Sequence, residues 1–121
     1  MININSDMQD QKKVLIVGAG LTGLATAKFA LEAGLVPVVI EKKSGIGGVW
    51  NVEEGNAWEN MTTNICKYNA SFSDFPWPEG ASVFPTGTEF YHYIERYAEN
   101  FKLNAHITFN CEVIRIIKKE K

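Results

Sequence analysis

Apolar and polar positions along this chain change period several times. Val14-Leu15-Ile16-Val17 is a continuous apolar run, the pattern of a strand covered on both faces of a parallel sheet. Gly18 ends it. From Leu21 to Ala33 the period becomes helical. Leu24, Ala27 and Leu31 share one face, Lys28 and Glu32 another, and Gly34 stands where helices stop. Val36 to Ile40 is a second apolar strand, with Pro37 near its start, where a missing N–H is tolerated. Strand, helix and strand in so short a span predict a βαβ unit.

Residues 44 to 86 have no strong period and are dense in Gly, Asn, Ser and Pro. A stretch that long without regular structure is usually functional or packed on a ligand. Order returns at Thr86-Gly87-Thr88-Glu89, which fits a capping box. Phe90, Ile94, Tyr97, Ala98 and Phe101 follow at helical spacing and read as the core face of an amphipathic helix. Ile107 to Phe109 and Glu112 to Ile117 predict two strands, broken at Asn110-Cys111. Met1 to Gln11 reads as a disordered leader, residues 12–121 as one domain, and Lys118 to Lys121 as a solvated end. The fold class is α/β: a Rossmann-like βαβ domain with a parallel sheet between two helical layers, three layers in all.

Composition narrows the function classes. The chain has 121 residues, 45% apolar and 21% charged, with a net charge of −2. That is one globular domain with no basic surface for nucleic acid or anionic membrane. Two cysteines, Cys66 and Cys111, make neither a disulfide scaffold nor a C-x-x-C metal or redox site. They read as small, half-buried residues of a reduced, cytoplasmic chain. There is no secretory signal and no apolar run that spans a bilayer.

The candidate chemistry begins at Gly18-Ala19-Gly20-Leu21-Thr22-Gly23. G-x-G-x-x-G carries weight here because it follows a predicted strand and opens a predicted helix. Gly18 makes the tight turn, Gly20 lets backbone approach a pyrophosphate, and Gly23 lets helix and strand pack closely. Leu21 and Thr22 stand at the helix N-terminus, whose free N–H groups and positive dipole end face the phosphates. Glu41 ends the second strand, outside the core, and its carboxylate suits the ribose hydroxyls of an ADP moiety while repelling a 2′-phosphate. The loop therefore prefers FAD or NAD to NADP. Lys42 and Lys43 read first as solvated lysines, with Lys42 kept among the cofactor candidates. Gly47-Gly48-Val49-Trp50 then brings a second glycine pair near the same dinucleotide. This spacing resembles that of two-dinucleotide flavoproteins, which favours FAD.

From Glu41 onward the chain resembles the flavin-containing monooxygenases. The likeness rests on Gly47 to Trp50, on Thr63-Asn64-Ile65-Cys66-Lys67 with Phe72-Ser73-Asp74-Phe75-Pro76-Trp77-Pro78, and on Phe84-Pro85 before a helix ending Tyr97-Ala98-Glu99-Asn100-Phe101. The resemblance implies oxygenation of soft nucleophiles, amine nitrogen or sulfur, through a flavin C4a-hydroperoxide, with NADPH as co-substrate. It also implies that Asn64 is the catalytic amide at the flavin's reactive edge, able to donate and accept. Gly48, Val49, Trp50, Thr63 and Lys67 match positions that frame the flavin. Phe72, Phe75, Pro76, Trp77 and Pro78 read as a rigid packed loop, and Asp74 as a turn residue. His92 and His106 have no evident partner nearby in sequence and are not proposed as acid–base groups.

The resemblance also implies parts that these residues do not contain. No second glycine loop for NADPH and no F-x-G-x-x-x-H fingerprint occur. The sequence reads as the FAD-binding portion of such an enzyme, incomplete relative to the family's two-dinucleotide fold and inactive alone. A stand-alone FAD or ADP module without turnover is the alternative.

Overall fold

The computed structural model describes residues 11–58 and 60–120. The expected leader lies outside them, Gln11 excepted. Three parallel strands, β1 (Lys13–Val17), β2 (Val36–Ile40) and β3 (Ile107–Thr108), lie in the order β1-β2-β3. The register pairs Ile16 with Val39 and Val39 with Ile107. Pro37 is fully buried in the middle strand. Val36 N–H donates to Lys12 O on the β1 side at 3.0 Å, so Pro37 faces the other side. There β3 pairs only with Val39 and Ile40, and no donor is missed.

Helix α1 (Leu21–Glu32) joins β1 to β2, and α2 (Gly87–Asn100) joins β2 to β3. The first ends in a Schellman motif: Gly34 N–H donates to Leu31 O at 3.0 Å and Leu35 N–H to Ala30 O at 2.9 Å. The second begins at the expected capping box, with Thr86 Oγ1 accepting from Glu89 N–H at 3.1 Å and Glu89 Oε2 from Thr86 N–H at 2.8 Å. Ile16, Leu24, Ala27, Val39, Phe90, Ile94, Tyr97 and Ala98 form one buried cluster. Both helices thus cover the same sheet face, as right-handed crossovers in a sheet growing one way require. Leu15 and Val17 on the opposite face are 38% and 58% exposed, so the described residues form two of the three expected layers.

The irregular segment is ordered by side chains instead of ladders. Tyr93 Oη accepts Phe72 N–H at 2.9 Å and donates to Phe75 O at 2.6 Å. Trp77 stacks on Tyr93 at 4.3 Å between centroids, and its Nε1–H donates to Ala70 O at 2.8 Å. Asp74, expected as a simple turn residue, is an ion-pair partner: it meets the Nζ of Lys28, a buried side chain that also reaches Glu32 at 2.6 Å. The loop therefore packs rigidly because both helices grip it. Tyr97 Oη is buried without a hydrogen-bond partner among the described residues, and burial pushes its pKa up to about 12.

The strand expected over Glu112–Ile117 does not form. Asn110 N–H donates to Lys43 O and Cys111 N–H to Glu41 O, each at 3.0 Å, and the pairing stops there. Ile114, Ile116 and Ile117 are 91%, 72% and 68% exposed. Apolar alternation makes a strand only where a neighbour accepts its backbone hydrogen bonds. No helix among the described residues is long and apolar enough to cross a membrane.

The carboxylates give this fold an acid limb. Lys28 holds the Asp74 carboxyl below its ordinary 3.8, and the Thr86 N–H, then Ser82, hold Glu89 below its ordinary 4.5. Groups depressed in the folded state stabilise fully above their unfolded values and lose that contribution as pH falls through the folded ones. The urea midpoint should therefore be level above about pH 5 and fall below it, less steeply in Asp74→Asn and Glu89→Gln. Equal slopes in all three proteins would contradict this.

Candidate dinucleotide site

The site is built where β1 stops. Gly18, with φ at +100°, turns the chain, and its N–H donates to Ile40 O at 2.8 Å. Gly20 opens α1 with no side-chain cap, and no acid lies in the first turn. The first N–H bond within the helix is Leu24 to Gly20 O at 2.9 Å. The N–H groups of Leu21, Thr22 and Gly23 thus have no acceptor among the described residues, and the positive end of the helix faces outward. A methyl group on Gly23 would collide with Gly18 O, whereas one on Gly20 would meet the Gly48 backbone at ordinary contact distance, Cα at 3.6 Å and N at 3.9 Å. The third glycine is therefore a packing requirement, and the second is not.

Glu41 meets this loop from the end of β2. It is 5% exposed, which corrects the expectation of a strand-end residue outside the core. Its Oε2 accepts Ala19 N–H at 2.7 Å and its Oε1 accepts Lys43 N–H at 2.8 Å. No cation pairs with it among the described residues. Each oxygen keeps a free lone pair, so the carboxylate can hold the loop and still accept two hydroxyl groups.

The second glycine pair braces the first. Gly47 N–H donates to Ala19 O at 2.9 Å, and a methyl group on Gly48 would lie 3.1 Å from Gly20 Cα. Contact between the loops explains Gly48 without any ligand, and the Tyr91 ring, 2.9 Å from a methyl group placed on Gly47, explains its neighbour, which adds to the reason expected from sequence. Val49 is 59% exposed, and Trp50 stacks on Phe90 with centroids 4.2 Å apart. Asn51, absent from the sequence reading, organises the turn that follows. It is 2% exposed, its Nδ2 donates to Ile46 O at 2.9 Å, and its Oδ1 accepts the N–H groups of Glu53 and Glu54, each at 2.9 Å. The only signal for it was the habit of Asn side chains to close local turns.

Gly18, Gly20, Leu21, Thr22, Gly23, Glu41 and Gly48 are thus brought together. Lys42 is exposed, and Lys43 Nζ is spent on Glu54 O at 2.6 Å. Thr63 and Asn64 stand on a separate ribbon, and no hydrogen bond joins them to either glycine loop among the described residues. His92 does have a partner, Glu95 Oε2 at 2.8 Å, one helical turn on. That pair lines an open cleft of about 480 Å³ with Tyr91, Arg96 and Phe109, apart from the glycine loop. Free N–H groups at α1 and a buried acceptor without a cation fit the ADP half of a dinucleotide.

Known proteins resemble this chain over most of its length. The chain is 40% identical to flavin-containing monooxygenase 1 of Homo sapiens over 113 residues, 88% of this chain and 21% of that protein. It is 33% identical over 114 residues, 89% of this chain and 20% of the relative, to dimethylaniline monooxygenase [N-oxide-forming] 4 of Homo sapiens. It spans about a fifth of the length of both. The structure of S-allyl-L-cysteine S-oxygenase from Allium sativum superposes with a TM-score of 0.82 over 90% of this chain and 30% of that one; at 24% identity this likeness concerns the fold.

Two outcomes test the site. Gly23→Ala should cost roughly 2–3 kcal/mol in urea unfolding, because backbone must move. Gly20→Ala should cost less than about 1 kcal/mol yet weaken FAD binding at least tenfold. Equal destabilisation with equal affinity would make both glycines mere packing. Glu41→Ala should lower stability by roughly 1.5–3 kcal/mol even without ligand, since two N–H groups lose a charged acceptor. An unchanged unfolding midpoint would show that the loops hold without it.

With the glycine loop, its acid and the second glycine pair in one place, and the family pattern of flavin-binding monooxygenase-like proteins matching residues 11–121, this chain belongs to that family.

Proposed function

We infer that the chain is the FAD-binding portion of an NADPH-dependent monooxygenase acting on soft nucleophiles, amine nitrogen or sulfur. The observation that carries this is the Glu41 carboxylate, fixed at 2.7 Å from Ala19 N–H beside the uncapped start of α1. The N–H groups of Leu21, Thr22 and Gly23 hold the pyrophosphate, and Gly20 gives it room. Glu41 accepts the ribose hydroxyls and opposes a 2′-phosphate, which directs the loop to FAD and away from NADP. Gly48 lies against Gly20, Val49 is exposed beside it, and Trp50 is held by its stack on Phe90. Bound there, the flavin supplies the oxygen-activating redox chemistry, and protein supplies position and dryness.

Asn64 is assigned to the flavin's reactive edge on family likeness, supported by the exposure of its side chain. An amide there donates to an oxygen and accepts from a proton-bearing neighbour. The N-oxide-forming relative supports the amine class of substrate. The 121 residues hold one dinucleotide-type glycine loop, so FAD binding without NADPH turnover is the activity assigned to them alone. The two free cysteines accord with a reducing, cytoplasmic setting.

Isothermal titration of the purified chain tests this. FAD should bind at least about tenfold more tightly than NADP, because like charges would meet at Glu41. Asn64→Ala should change FAD affinity by less than about threefold, the range of a surface substitution. Tighter NADP binding would overturn the assignment of Glu41. NADPH-driven oxygenation of a tertiary amine by this chain alone would overturn the assignment of inactivity.

A further inference from the structure

Lys67 is 8% exposed, and no carboxylate among the described residues pairs with it. A buried ammonium is costly unless its donors are used. Here one of them serves the backbone. Nζ donates to Ala81 O at 2.7 Å and lies 5.5 Å from the Tyr68 ring centre. The N–H of Lys67 itself donates to Val83 O at 2.8 Å, and that of Thr63 to Pro85 O at 2.9 Å. Thr62 and Thr86 make an antiparallel bridge, and Gly87 N–H reaches Met61 O at 2.6 Å. Residues 61–67 and 81–87 are thus an irregular two-stranded ribbon.

The second strand of that ribbon is anchored in α2. Glu89, the acid of the capping box, accepts Ser82 N–H at 3.2 Å, Ser82 Oγ–H at 2.9 Å and Thr86 N–H at 2.8 Å. The first strand carries Asn64 on its exposed crest. Thr63 ties the chain on one side of Asn64 and Lys67 on the other, and Thr63 Oγ1 closes the turn on Ile65 O at 2.9 Å. A methionine would fill the volume of Lys67 but make no bond to Ala81 O.

We propose that Lys67 is a positioning residue for Asn64: its ammonium staples the ribbon to Ala81 and so fixes the crest that carries the amide. This rests on the reading of Asn64 as the flavin-edge residue. An amide that acts on one atom of a bound group must be held still, and a loose crest would lose that placement without losing the group.

Nitrogen-15 NMR of the 121-residue chain tests the proposal. In the wild type, residues 63–67 should relax like α2, and FAD should shift both the Asn64 side-chain amide and the Gly20 N–H. In Lys67→Met, hydrogen-exchange protection of Thr63 N–H should fall at least about tenfold. The Asn64 response to FAD should fall by half or more, while Gly20 responds as before. Lys67→Arg, which keeps a charged donor for the carbonyl, should restore both. A wild-type crest as mobile as an exposed loop overturns the proposal, and that result needs no variant. So does a Lys67→Met protein with unchanged Thr63 protection and Asn64 response. If Lys67→Met loses Ala27 protection in α1, and so has unfolded, Lys67→Arg decides: a folded protein with a loose crest overturns the staple, and one with a wild-type crest supports it. A silent Asn64 beside a responsive Gly20 in the wild type rejects the flavin-edge reading instead, and Thr63 protection then reports the staple separately.

Discussion

The bond between the Glu41 carboxylate and the Ala19 N–H joins two pieces of backbone just beyond the last bond between their strands, Gly18 N–H to Ile40 O. One is the turn after β1, the other the end of β2. The second carboxylate oxygen takes Lys43 N–H and so sets the direction in which the chain leaves β2. Ala19 O in turn receives Gly47 N–H, which lays the second glycine pair against the first. Remove the carboxylate, and the turn, the exit from β2 and the brace lose a common reference. A ribose that used Glu41 would therefore meet an acceptor already aimed, at little ordering cost.

Much of this architecture could be read before any coordinates. Val14–Val17, Val36–Ile40 and the helix between them announced themselves because burial on one or both faces leaves a periodic record. Thr86 and Glu89 announced the start of α2 because a capping box is local chemistry. The remainder was invisible because it depends on partners far apart in sequence. Asp74 looks like a turn residue until Lys28, from helix α1, is placed beside it. Glu112–Ile117 looks like a strand because alternation records side-chain character and says nothing about a neighbouring backbone. Glu41 itself was legible as an acceptor, but its burial and its two N–H donors were not.

The irregular middle of the chain illustrates a second kind of order. Phe72, Phe75, Trp77, Tyr93, Tyr97 and Phe101 pack ring on ring, with Trp77 and Tyr93 stacked nearly parallel and Phe75 edge-on to Tyr97. Aromatic area adds to the few ladder bonds of this segment, and Tyr93 Oη and Trp77 Nε1–H meet backbone groups of Phe72, Phe75 and Ala70.

Gly20 and Gly48 come close enough that a methyl group on Gly48 would press on the other's α-carbon at 3.1 Å. The two positions are 28 apart in the chain but occupy one another's space. The second cannot drift on its own over generations: a side chain there is tolerated only if the first turn retreats, and that retreat moves the start of α1. A descendant carrying a bulkier residue at Gly48 should therefore carry a rebuilt turn after its first strand as well.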